Sequence, residues 1–141
     1  MWTYKGKQVL EAPKDYFGFV YKITNLENGK TYIGKKQLYF RRKVKLGKKE
    51  LAAITDKRSS KVKYVTKESD WESYIGSCTE LKKDIALGHN IKKEILMFCE
   101  DKSRLTYFET KCQFCEGVIE KETYNDNING KYYRKIFNET F

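Results

Sequence analysis

The stretch from Phe17 to Gly34 constrains this chain more than any other. Phe17, Phe19, Tyr21 and Ile23 alternate with Gly18, Val20, Lys22 and Thr24, the period of two that a half-buried strand requires. A second run, Lys30 to Gly34, follows across Leu26-Glu27-Asn28-Gly29, whose Asn-Gly is the strongest short-range signal for a hairpin. Side chains alternate across a pleated strand, so register decides which residues share a face. Whether the loop holds two residues or four, Tyr32 emerges on the same face as Tyr21. Two phenols are therefore expected on one surface of one β-hairpin.

Beyond the hairpin the signals are less even. Residues 36 to 47 can form a short helix with Gly47 as its stop. Residues 41 to 67 carry eleven Lys or Arg against two acids, Glu50 and Asp56, and predict a basic loop or arm. Ser77 or Thr79 can cap a helix bearing Leu81 and Ile85 that stops at Gly88. Ile91 to Phe98 reads as a strand, and a longer helix covers roughly Ser103 to Thr123. Gly130 to Phe137 reads as a strand or ordered tail, and residues 1 to 15, with Trp2, Tyr4 and Pro13, as an ordered arm or lead-in strand. This order predicts an α/β fold of mixed α+β type: a small antiparallel or mixed sheet, opened by the hairpin and flanked by helices. The main domain is expected over 16–130, with a basic insertion at about 43–70 and a tail at 131–141.

With 141 residues the chain can build one core and is too short for two ordinary domains. Hydrophobic residues at 40% and charged residues at 34% exclude a disordered composition. A net charge of +10 makes a polyanion the expected partner, because each Lys or Arg placed on a phosphate releases condensed counterions. The sequence has no apolar run of membrane-spanning length and no apolar leader at its N-terminus, which predicts a cytoplasmic protein. Cys78, Cys99, Cys112 and Cys115 are expected as free thiols. Cys112 and Cys115 share a helical stripe with Leu105, Phe108 and Ile119, so they read as helix-core cysteines, with a structural zinc site as the alternative. The single histidine, His89, lies in Gly88-His89-Asn90 and is expected in a turn.

Gly18-Phe19-Val20-Tyr21, ten intervening residues and Tyr32-Ile33-Gly34 resemble the opening hairpin of the GIY-YIG nuclease superfamily. The leading glycine of the first triplet is absent, although Gly18 stands one residue earlier. The resemblance extends to Lys35, three residues after Tyr32, and to Arg42, ten residues after it on a first helix, with Arg41 as a competitor for that place. Glu109 on the long helix and Asn125 occupy the later positions of the pattern, so the resemblance spans residues 17 to about 126. The segment from Trp71 to Asp84 is most similar to small phage-type members, which implies a phage-encoded enzyme in a bacterial host. A second Tyr-Ile-Gly, Tyr74-Ile75-Gly76, has no partner triplet at hairpin distance and reads as a turn leading into the Leu81 helix.

The resemblance implies a metal-dependent DNA endonuclease, and the same residues suit that chemistry. Phosphodiester hydrolysis needs a base for water, positive charge on the phosphoryl oxygens and help for the leaving oxygen. A tyrosine, Tyr21 or Tyr32, can serve as base if cations lower its pKa, and Lys35 and Arg42 are those cations. Glu109, completed by waters and phosphate oxygens, can hold one Mg2+ or Mn2+. Asn125 would orient the phosphate or support the site. Arg41, Lys43, Lys45, Lys48, Lys49, Lys61 and Lys63 are expected on DNA, in contact with phosphate rather than bases. The rival reading is a non-cutting nucleic-acid-binding module on the same scaffold.

Overall fold

The computed structural model describes residues 1–54 and 61–137. Its strands are β1 (Trp2–Tyr4), β2 (Lys7–Gln8), β3 (Gly18–Asn25), β4 (Thr31–Gln37), β5 (Tyr39–Lys45), β6 (Val62–Glu68), β7 (Ile91–Cys99), β8 (Asn127–Ile128) and β9 (Tyr132–Tyr133). Its helices are α1 (Lys48–Ala52), α2 (Thr79–Ala86) and α3 (Lys102–Cys115), with a 3-10 turn at Arg134–Phe137. Five strands form a mixed sheet in the order β2-β1-β7-β3-β4, where β1 runs parallel to β7 and every other neighbour is antiparallel. The fold is α+β, as the element order predicts.

The β3–β4 hairpin takes the four-residue loop: Tyr21 pairs with Gly34 and Ile23 with Tyr32. Asn25 secures the turn by accepting the Glu27 backbone N–H at 2.8 Å. Alternation then sends Phe19, Tyr21 and Ile23 to one face, where they pack with Trp2, Leu38, Trp71, Leu81 and Ile95 beneath α2. Val20 and Ile33 point to the other face, against Leu105 of α3 and Val118, Ile119 and Ile128. The N-terminal segment belongs to this core. Trp2 is buried, donates its indole N–H to the Trp71 carbonyl at 2.7 Å and meets Tyr21 edge to face.

Several sequence expectations change. Residues 36 to 47 are not a helix: β4 continues to Gln37, Leu38 is buried, and Tyr39 to Lys45 form β5, paired antiparallel with β6 from Tyr39↔Glu68 to Lys45↔Val62. Gly47 is the N-cap of α1 rather than a stop. The physical reason is that Arg and Lys allow either state, while Phe40, Val44, Val62, Tyr64, Val65 and Thr66 favour extended backbone once a partner strand supplies the ladder. The described part of the expected basic loop is thus largely a two-stranded ribbon. The long helix ends at Cys115, with Gly117 beyond it at φ +58, so Ile119 enters the core from a turn. Cys115 is exposed rather than helix-core, because α3 buries the face of Leu105 and Gln113 while Cys112 lies at its margin.

Candidate active site

Tyr21 rises from the middle of β3 and lies across the backbone of Gly34 on the neighbouring strand. A β-carbon at Gly34 would stand 2.5 Å from the Tyr21 phenol oxygen, so only glycine fits beneath it. Tyr32, two residues earlier on β4, sets its ring 6.1 Å from that of Tyr21, and its phenol lies 3.3 Å from Ser77 Oγ.

The second Tyr-Ile-Gly closes over this pair. Tyr74 meets Tyr21 edge to face at 6.0 Å. Gly76, at φ +88, comes so close that a β-carbon there would lie 3.2 Å from Tyr32 Cε1 and 3.3 Å from Tyr21 Oη. The turn expected at Tyr74 is therefore also a wall of the tyrosine site. Lys36 Nζ sits 4.1 Å above the Tyr74 ring and pairs with Asp70 at 2.6 Å, which holds that carboxyl below its ordinary range. The repeated triplet was the visible signal for Tyr74 and Gly76; Lys36 carried none.

Both tyrosines keep their protons more tightly than a free phenol. Burial is the main cause for Tyr21, followed by the neighbouring Tyr32 and Tyr74, and Glu109 adds to it. Burial also raises Tyr32, against the hydrogen bond from Ser77. The expected lowering by Lys35 and Arg42 is not found: neither is among the groups that shift these two phenols, and removing water from the phenolate dominates.

Glu109 approaches from the other face of the sheet, since α3 packs on the side of Val20 and Ile33. Because β4 is the sheet edge, Glu109 reaches a cleft of about 330 Å³ that Tyr32 also lines, together with Gln113, Asn125, Asp126, Asn127 and Asn129. Its carboxyl is held above the usual range by burial and is partly offset by Lys35, whose Nζ lies 3.9 Å away. Lys35 also donates to Thr106 Oγ1 at 3.1 Å, so α3 positions both charges.

Asn125 acts on the backbone between Tyr32 and Gly34. Its Oδ1 accepts the Ile33 N–H and its Nδ2 donates to the Ile33 carbonyl, both at 2.9 Å. A buried side-chain amide thus supplies the ladder bonds that the edge strand would otherwise lack. Gln113 Nε2 donates to the same carbonyl at 2.9 Å, which fixes the orientation of its amide and leaves Oε1 buried without a partner among the described residues. Gln113 lies one helical turn after Glu109; that spacing was legible, its role was not.

Arg42 is not brought to this cluster. It sits on exposed β5, opposite Val65, and no hydrogen bond or ion pair joins it to Tyr21, Tyr32 or Glu109 among the described residues. Arg41 points to the opposite ribbon face and stacks on Tyr64 at 4.6 Å. Lys43 and Lys45 extend along β5, Lys48 and Lys49 lie on α1, Lys61 precedes β6, and Lys63 pairs with Glu50. His89 belongs to a turn, where its Nδ1 lies 2.9 Å from Asn25 Nδ2. The cysteines are free thiols, and no three His, Cys, Asp or Glu side chains cluster as a metal cage among the described residues.

No described helix is long and apolar enough to cross a membrane. No curated protein and no solved structure matches the chain. One family model does match, that described as "Putative endonuclease segE, GIY-YIG domain", and it covers residues 2–137. The tyrosine hairpin, the glycines beneath and above it, and a match over almost the whole length lead to one conclusion: the chain belongs to the GIY-YIG endonuclease domain family of segE type, a nuclease fold whose substrate is DNA.

Proposed function

We propose that this protein is a Mg2+-dependent endonuclease that hydrolyses phosphodiester bonds in double-stranded DNA. The observation that carries the reading is the meeting of Tyr32, Lys35 and Glu109 at the edge of β4, beside one cleft. Oxygen-bearing side chains line the cleft, among them those of Glu109, Asp126, Asn127 and Asn129. That set fits a hard cation held by the Glu109 carboxylate and completed by water. When bound, such a cation supplies charge on a phosphoryl oxygen and lowers the pKa of its water.

The remaining work falls to the protein. Lys35 places a positive charge beside Glu109, where phosphoryl oxygens gain charge as the bond breaks. Tyr32 is the general base, and Tyr21, buried beside it, holds its ring in place. Glu109 is one of the charges that keep the Tyr32 proton, so Tyr32 releases that proton more readily once Glu109 is neutralised. Asn125 and Gln113 hold the strand that presents Tyr32 and Lys35.

Plasmid digestion in Mg2+, with EDTA as control, tests the reading, together with Glu109→Gln. The parent is expected to cut and the variant to bind DNA without cutting, since Lys and Arg contacts to phosphate survive. A Glu109→Gln protein that cuts at the parent rate would overturn the metal assignment. A parent that binds DNA and cuts none of it would leave the non-cutting module as the function.

A further inference from the structure

The β5–β6 ribbon exposes both of its faces along most of its length. One face is tied to the body at its Tyr39–Glu68 end, where Tyr39 donates to the Ala12 carbonyl at 3.0 Å and Glu68 accepts from Trp71 Nε1 at 2.7 Å; further along, Arg41 stacks on Tyr64 within the ribbon. The opposite face carries Phe40, Arg42 and Val44 against Lys67, Val65 and Lys63. There Phe40 and Val65 are 43% and 39% exposed, and Arg42 between them has no hydrogen bond or ion pair among the described residues. Phosphates alone account for lysines on such a face but offer nothing to Phe40 and Val65.

We infer that this face of the ribbon enters the major groove of duplex DNA and that Arg42 determines specificity by reading a base edge. The inference rests on the DNA-cleaving function proposed above. Two strands about 4.8 Å apart, with their side chains, fill a groove about 12 Å wide and are too broad for the minor groove at about 6 Å. Arginine presents a fork that matches the two acceptors of guanine, while an exposed Phe or Val suits a thymine methyl. Lys67 lies on the partner strand, within reach of a flanking phosphate, while Lys63 beyond it is paired with Glu50. The residue expected in the catalytic cluster is thereby placed in recognition.

The test is the profile of cleaved ends on a random-sequence duplex library, read for the full-length parent, Arg42→Ala and Lys43→Ala/Lys45→Ala. Arg42→Ala is expected to cut saturating DNA at close to the parent rate while losing about tenfold or more of its preference at one base position. The double lysine variant is expected to bind all sequences more weakly with the parent's profile. Methyl green, a major-groove ligand, should displace the protein, and netropsin, a minor-groove ligand, should not. An unchanged profile in Arg42→Ala, loss of its cutting at saturating DNA, or displacement by netropsin alone would each overturn the inference. If the parent cuts nothing, the nuclease function fails separately, and ribbon reading is still decided by selecting bound duplexes with Glu109→Gln and Glu109→Gln/Arg42→Ala. Equal selected sequences from those two proteins would sink it.

Discussion

The Tyr21 phenol lies so near Gly34 that a β-carbon at position 34 would stand 2.5 Å from its oxygen and 2.7 Å from Cζ. The close approach makes the tyrosine and the glycine one structural unit. Gly34→Ala is expected to cost about 1–3 kcal/mol by overpacking. In a Tyr21→Phe background the nearest atom is gone, so the same change should cost less. Thermal melts of the two single variants and the double variant measure the coupling, and equal costs in both backgrounds would refute the close packing.

Asn125 is expected to act through stability. Asn125→Leu removes both bonds to Ile33 and strands its N–H in the interior, a loss of roughly 1–3 kcal/mol. Urea denaturation checks it. A fully stable Asn125→Leu protein that no longer cuts would assign the residue to the phosphate instead.

Glu109 sets a pH dependence whose sign follows from its burial. Its folded pKa is raised, so the proton is held more tightly in the folded protein. The contribution to stability is therefore complete below the unfolded carboxylate pKa and is lost as pH rises through the folded value. Without metal, Glu109→Gln should melt above the parent at neutral pH, and the gap should close on acidification. Added Mg2+ should raise the melting temperature of the parent and leave that of Glu109→Gln unmoved. A Mg2+ shift of equal size in both would remove the carboxylate from the metal site.

Trp2 is expected to behave as a core residue, although it is the second residue of the chain. It is 1% exposed and touches Phe19 and Tyr21, so Trp2→Ala should cost about 3–5 kcal/mol. A loss below about 1 kcal/mol in chemical denaturation would mean that β1 is not part of the cooperative fold.

The lysines around the ribbon are expected to act on phosphate. Changing Lys43, Lys45, Lys48 and Lys49 to Gln should weaken binding to every sequence and flatten the logarithmic salt dependence by about 0.9 for each phosphate that is no longer neutralised. A salt slope equal to that of the parent would place this segment away from DNA.

What the sequence by itself determined was local. The period of two in Phe17 to Thr24 and the Asn-Gly turn specify the hairpin, and pleating then puts Tyr21 and Tyr32 on one face. Leu81 and Ile85 specify α2 in the same way, through contacts one turn apart. Residues 36 to 47 had no such signal for a strand, because their Arg and Lys side chains favour helix locally. Only pairing with Val62 to Glu68, across an intervening segment, made them β5 and carried Arg42 onto the ribbon. Trp2 to Tyr4 likewise became a strand only beside Lys93 to Ile95. Lys36 and Gln113 have no local mark of their roles, since each depends on what lies across the fold: the Tyr74 ring and the edge carbonyl of Ile33. Periodicity reports which side of an element is buried, but the partner that covers it is a property of the folded chain.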